Sequence, residues 1–144
     1  MTPADGDAII AQHFAPWVQA LKLRVTACDS TGASLIMPFD ASLVRGGTQF
    51  QQGKAGGFIC GQALMSAADT AMVIAISSAL GGFRPMATAS QNSSFMRAIV
   101  DKDVEIIARV LKSGKSLVFG EIEMRASGDE RLAVHVTTTY ALMA

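Results

Sequence analysis

Asp69 is the one charged side chain in GGFICGQALMSAADTAMVIAISSALGG, residues 56–82. A carboxylate can act as a general base toward water or as a nucleophile toward a carbonyl carbon. On a helix its neighbours three, four and seven residues away are Gln62, Met65, Ser66, Met72, Val73 and Ile76. Most are apolar, so the carboxylate shares a face with core residues. Such a group is either paired or turned toward a cleft. Gly61 stands eight residues earlier, at the start of the same helix, with Gly57 before it. The first N–H groups of a helix lack intrahelical partners and carry partial positive charge. Glycine lets a ligand approach that backbone closely, so an oxyanion developing on a carbonyl could be held there. A base or nucleophile and an oxyanion donor suffice for acyl transfer to water. Two plainer readings stand beside this one. Asp69 can bond backbone amides at a subunit interface, and the glycines can simply shape a turn.

The elements that must position these groups follow from pattern. Residues 61–80 read as one long helix, rich in Ala, Leu and Met and stopped by Gly81-Gly82. Twenty residues make about 30 Å of helix. It is apolar nearly all round and so must be buried on most sides. As a membrane span it fails on content, because a central Asp costs about 2.5–3.5 kcal/mol and Ser66, Thr70, Ser77 and Ser78 add polarity. Residues 5–20 read as a short amphipathic helix, capped by Asp5 or Asp7, with Ile9, Ile10, Phe14, Trp17 and Val18 as its apolar stripe. LKLRVTACD and ASLIMPF form a hairpin across Ser-Thr-Gly. Residues 40–57 form a polar, glycine-rich loop.

Four strands with short turns complete the chain: ATASQNSSFM, VEIIARVLK, SLVFGEIEMRA and LAVHVTTTYALM. In the second, Val104, Ile106, Ala108 and Val110 share a face. In the third, Val118, Ile122 and Met124 oppose Leu117, Phe119, Glu121 and Glu123. The expected fold is a single α+β domain over residues 1–144. Its antiparallel sheet wraps around one long central helix, with a short helix at the N-terminus.

Composition removes several function classes. Twelve basic residues balance twelve acidic ones, with no basic block, so nothing points to nucleic acid. Cys28 and Cys60 make neither a metal spacing nor a disulfide framework, and no metal site is expected. Cys60 has no histidine near it in sequence to activate a thiol, since His13 and His135 are distant. It reads as a core cysteine. The start, MTPADGDAIIAQHF, has no secretory pattern, and the expected compartment is the cytoplasm with both thiols reduced.

Three stretches together carry a family likeness: GQALMSAADTAM, NSSFMRAI and VLKSGKSLVFGEIEMRASGDERLAVHVTTTYAL. Residues 50–143 resemble the hotdog-fold acyl-CoA thioesterases, in particular the phenylacetate-degradation (PaaI-like) branch. The first stretch resembles that branch's central helix, with its Leu-Ala-Asp-Thr-Ala motif. The second resembles the Phe-Leu-Arg-Pro strand, and the third the closing hairpins with a Gly-Lys turn.

The resemblance implies that Asp69 is the catalytic base or nucleophile and that the Gly61 N–H is the oxyanion donor. It implies that Thr88 positions water, reaching the site from a neighbouring subunit, so that the active site lies across a dimer interface. A homodimer is expected, with a tetramer as a further step, and no cofactor is needed. The partner is the acyl-CoA substrate, with neither nucleic acid nor membrane.

Cys60, Gln62 and Asn92 are expected to touch substrate. Lys54, Arg97 and Lys115, with Lys112, Arg45 and Arg84 as further candidates, could hold the coenzyme A phosphates. Two positions depart from the family pattern. Its His-Gly-Gly is here Cys60-Gly61-Gln62, and the Asn that some relatives place six residues before the histidine is Lys54. The missing histidine favours the alternative function, a hotdog protein that binds an acyl ligand without turning it over. A dehydratase would need a histidine brought to Asp69 through space.

Overall fold

The computed structural model describes residues 1–45 and 57–144. The long apolar stretch is a helix, α3, over Gly61–Leu80. Gly81 ends it in the left-handed region, at φ 82°, a conformation glycine adopts at little cost. The hydroxyls that argued against a membrane span are satisfied locally. Ser66, Thr70 and Ser77 each donate to the carbonyl four residues back, and Ser78 donates to Asp29 O at 2.7 Å. α3 is long and apolar enough to cross a bilayer, but 72% of its most apolar window is buried inside the protein.

Before α3 come α1 (Pro3–His13), α2 (Pro16–Gln19), β1 (Arg24–Asp29), β2 (Gly32–Met37) and a 3-10 turn at Ala41–Leu43. After it come β3 (Met86–Phe95), β4 (Val104–Ser113), β5 (Leu117–Ala126) and β6 (Val134–Leu142). The strands form one antiparallel sheet in the order β1-β2-β4-β5-β6-β3. Its inner face carries Val104, Ile106, Ala108, Val118, Ile122 and Met124, all buried against α3. The alternation of β4 and β5 is thus as the sequence indicates. Helix and sheet approach closely at Gly120, where a Cβ would collide with the Met72 thioether. Met72 therefore belongs to the core.

The N-terminal helix differs from the expectation of one element over residues 5–20. Pro16 divides it, because the residue before a proline is pushed out of the helical region, and Ala15 is extended at ψ 149°. The cap is Thr2 rather than Asp5 or Asp7. Thr2 and Asp5 form a reciprocal capping box, while Asp7 accepts from Val25 N on β1. Ile9, Ile10 and Val18 are buried as expected, but Trp17 is 64% exposed and neither packs on the sheet nor covers a pocket.

The two sheet edges are unlike. α1 packs along β1. β3 is the other edge, bonded to β6 alone and exposed along most of its length.

Candidate active site

Asp69 lies midway along α3, half-buried. Two hydroxyls converge on it. Thr88 Oγ1 donates to Asp69 Oδ1 at 2.7 Å. The Tyr140 hydroxyl reaches Asp69 O at 2.9 Å and also donates to Oδ1. Thr88 and Tyr140 are direct cross-strand partners on β3 and β6, facing the helix. Tyr140 is 1% exposed. Burial first, then the Asp69 charge and hydrogen bond, push the phenol's ionisation well above its ordinary 10.0. It stays protonated and donating.

Thr88 reaches this face through a β-bulge. The β3–β6 register shifts between Thr88 and Ser90, so parity reverses there. Thr88 points in with Gln91, Ser93 and Phe95, whereas Ser90, Asn92 and Ser94 oppose the outward residues Thr139, Thr137 and His135. Strict alternation would have put Thr88 and Asn92 on the same face. The bulge sends Asn92 to the outer face, away from Asp69.

Thr88 and Asp69 meet within one chain. The reason is chain geometry: a short turn returns β3 alongside the helix it follows.

Gly61 is the first residue of α3. Its N-cap, Cys60, makes no side-chain hydrogen bond to the first turn. Cys60 is half-buried with a free thiol. A Cβ on Gly61 would meet the Phe95 ring at 3.5 Å, an ordinary contact. Around this helix end lies a cleft of about 470 Å³, lined by Arg45, Gly61, Gln62, Met65, Phe95, Met96 and Arg97 among others. Of the expected ligand-contacting residues, Gln62 and Arg97 share this cleft with Gly61, as does Arg45. Met65 and Met96 line it as well, and Asp69 does not.

Lys112 and Lys115 sit at the β4–β5 turn, at the end of the sheet opposite Phe95. Arg84 follows α3 and does not line the cleft. Lys54 lies outside the described residues.

Neither described histidine serves Asp69. His13 stacks on Phe83, with ring centroids 3.9 Å apart. His135 faces Glu121 Oε2 at 3.1 Å on the outer sheet face. The histidine–carboxylate pair a dehydratase would need is absent from Asp69's surroundings. Among the described residues no cluster of His, Cys, Asp and Glu suits a metal ion.

Tyr140 is the residue that sequence reasoning missed. The available signal was its position as the chain's sole tyrosine, in step with Val134 and Val136 on a buried face. A buried tyrosine hydroxyl needs a partner, and the central helix carries one unsatisfied carboxylate.

Gly61 and Asp69 do not meet within the chain. Eight residues at 1.5 Å separate them by about 12 Å along α3. An attacking oxygen and an oxyanion donor serving one carbonyl lie about 6 Å apart, some 3 Å on each side. A bridging water adds only about 3 Å more.

Comparison with known proteins agrees with this architecture. The sequence profile described as the thioesterase superfamily matches residues 56–133, more than half of the chain. No curated protein sequence matches. Among solved structures, conserved protein PA5202 of Pseudomonas aeruginosa is 27% identical, with a TM-score of 0.76, covering 92% of this chain and 98% of its own. The PaaI protein of the Escherichia coli phenylacetic acid degradation operon is 17% identical at TM-score 0.78, covering 98% and 92%. Thioesterase HI1161 of Haemophilus influenzae is 16% identical at TM-score 0.81, covering 99% and 91%. These likenesses identify the fold as the hotdog.

Proposed function

We propose that this chain, which belongs to the thioesterase superfamily, hydrolyses an acyl-CoA thioester to the free acid and coenzyme A in the cytoplasm. The observation that carries the reading is Asp69, a half-buried carboxylate held by two neutral hydroxyl donors and, among the described residues, by no cation. Its charge is left for chemistry.

As a general base, Asp69 takes a proton from water while the water oxygen bonds to the thioester carbon. The Gly61 N–H holds the resulting oxyanion. The C–S bond then breaks and the proton passes to the departing thiolate. As a nucleophile, Asp69 bonds to the thioester carbon itself, the C–S bond breaks to release the coenzyme A thiolate, and water then hydrolyses the mixed anhydride, freeing the carboxylate and giving a proton to the thiolate. Both routes need the same two groups. The apolar cleft at the start of α3 suits the acyl chain, and Arg45 and Arg97 at its wall suit coenzyme A phosphates.

The site proposed is shared between two chains, which supports a homodimer. The 12 Å separation keeps one chain's Gly61 from serving its own Asp69. The exposed β3 edge supplies a remedy. Two such edges pairing antiparallel about a two-fold axis would form one continuous sheet. That pairing sets the Phe95 end of one strand beside the Thr88 end of the other. Because Gly61 lies against Phe95 and Asp69 against Thr88, it brings Gly61 of one chain toward Asp69 of its partner. A tetramer would stack two such dimers.

The test is turnover of short, medium, long and aryl acyl-CoA thioesters, read by free-thiol release beside Asp69→Asn. Wild-type turnover that falls by about 10³-fold or more in the variant, with the fold intact, is expected. A wild type that binds acyl-CoA tightly but releases no thiol would make this a binding protein, the reading favoured by Cys60 at the motif histidine's position. Loss of folding in Asp69→Asn would make the carboxylate structural.

A further inference from the structure

The two hydroxyls on Asp69 are not spread over its carboxylate. Thr88 Oγ1 and the Tyr140 hydroxyl both address Oδ1. Among the described residues nothing bonds Oδ2. We infer that Tyr140 is a positioning residue for Asp69, and that it and Thr88 occupy Oδ1 so that Oδ2 is the oxygen that acts. The inference rests on the thioesterase reading and adds to it a residue and an atom.

Three features of Tyr140 suit this role. It lies two residues from the end of β6, a strand bonded to β5 on one side and β3 on the other. Its ring is buried, so its hydroxyl cannot swing to solvent. The same hydroxyl reaches Asp69 O, the main-chain carbonyl of the helix turn that bears the carboxylate. One phenol therefore registers both the helix turn and the side-chain torsion against the sheet.

Thr88 alone would not do this, because it lies on the exposed edge strand. A carboxylate anchored at one oxygen presents the other in a fixed direction, and catalysis is sensitive to displacements of about 1 Å. A neutral donor does so without cancelling the charge that the reaction uses. An arginine in its place would hold the carboxylate as well but bind it as a salt bridge.

The experiment uses the full chain and two readouts. Tyr140→Phe keeps the ring and its packing and removes only the hydroxyl. It is expected to lower kcat by about 10- to 100-fold while KM stays within about twofold, the split of an interaction that orients rather than binds. The second readout is the Raman tyrosine doublet, whose intensity ratio reports how strongly a phenol donates. Because Tyr140 is the only tyrosine, the signal is its own. The wild type should show a strong donor, and Asp69→Asn should weaken it by removing the charged acceptor.

A Tyr140→Phe variant that keeps kcat within about twofold of wild type, while Asp69→Asn is inactive, overturns the positioning role and leaves the thioesterase reading standing. A doublet indifferent to Asp69→Asn overturns the contact itself. A wild type that hydrolyses no thioester, with a doublet that does respond, sinks the hydrolase reading and leaves the contact established. Equal losses in kcat and in thermal stability for Tyr140→Phe would reduce the tyrosine to a packing residue.

Discussion

Two groups of titratable side chains lie against opposite faces of the same sheet, and they are built differently. On the inner face, among the described residues, Asp69 meets only hydroxyls, from Thr88 and Tyr140. On the outer face the carboxylates meet cations. Glu123 bonds Arg125 at 2.9 Å and lies 3.4 Å from Arg109, and Glu121 lies 4.0 Å from Arg109. The Arg125 hydrogen bond, opposed in part by desolvation and helped by the charges of Arg125 and Arg109, lowers the Glu123 carboxyl below its ordinary 4.5. The outer group spends its charge on neighbours and supports the sheet. The inner one is held in place without being neutralised. This difference, more than burial, is what supports the proposed catalytic role of Asp69.

The sharpest way to break this comparison acts on the oxyanion donor that Asp69 requires. Gly61 is the first residue of α3, a position where proline is well tolerated and the N–H has no intrahelical partner. Cys60 is already extended, at ψ 150°, as a residue before proline should be. Gly61→Pro therefore deletes the donor while sparing the helix, and kcat should fall by about 10²- to 10³-fold. Gly61→Ala keeps the N–H and should lose about tenfold at most, since its methyl would sit at contact distance from Phe95. Co-expressing Gly61→Pro with Asp69→Asn chains tests the shared site. Hybrid dimers would carry one complete site, so about a quarter of wild-type activity should return. No recovery in purified hybrids would place both groups' work within one chain.

A smaller effect is expected at Thr88. Thr88→Ala removes one of the two donors on Oδ1 and leaves Tyr140, so turnover should drop by about tenfold with little change in melting temperature. Wild-type turnover in that variant would leave Tyr140 as the sole anchor.

The smallest effect belongs to the outer face. Glu123→Gln should leave turnover unchanged and cost about 1 kcal/mol or less near neutral pH, because the partners are partly exposed. The pH dependence follows from the lowered carboxyl. A depressed folded-state pKa contributes stability above the unfolded value of 4.5 and loses it as pH falls through the folded value. The stability deficit of Glu123→Gln, measured from urea midpoints, should therefore shrink between about pH 7 and about pH 3. A deficit that stays constant on acidification would mean that the charge of Glu123 is not what supports the sheet.

Much of the site was legible before any coordinates. Asp69 stood out because it is one charge in a stretch whose other polar side chains are Gln62 and four hydroxyls, and those hydroxyls are satisfied by carbonyls of α3 or of β1. Gly61 was legible from its place before the apolar run. Thr88 came from family resemblance alone, since no local pattern reveals a bulge at residue 89. The same bulge explains why Asn92 could not be placed. Tyr140 escaped because it stands 71 residues from its partner, and a strand of Val, Thr and Tyr reads simply as sheet.

What the sequence by itself determined is the set of local elements and their buried sides. The composition of α3, the glycine that ends it, and the two-residue period of β4 and β5 are properties of short windows, where local sterics and hydrophobic burial decide. What the tertiary structure alone decided is which polar groups meet. The bulge that turns Thr88 inward, the phenol that reaches across to Oδ1, and the bare β3 edge all depend on register between strands distant in the chain. A shift of one residue in that register turns every side chain to the opposite face, and no local window carries that information.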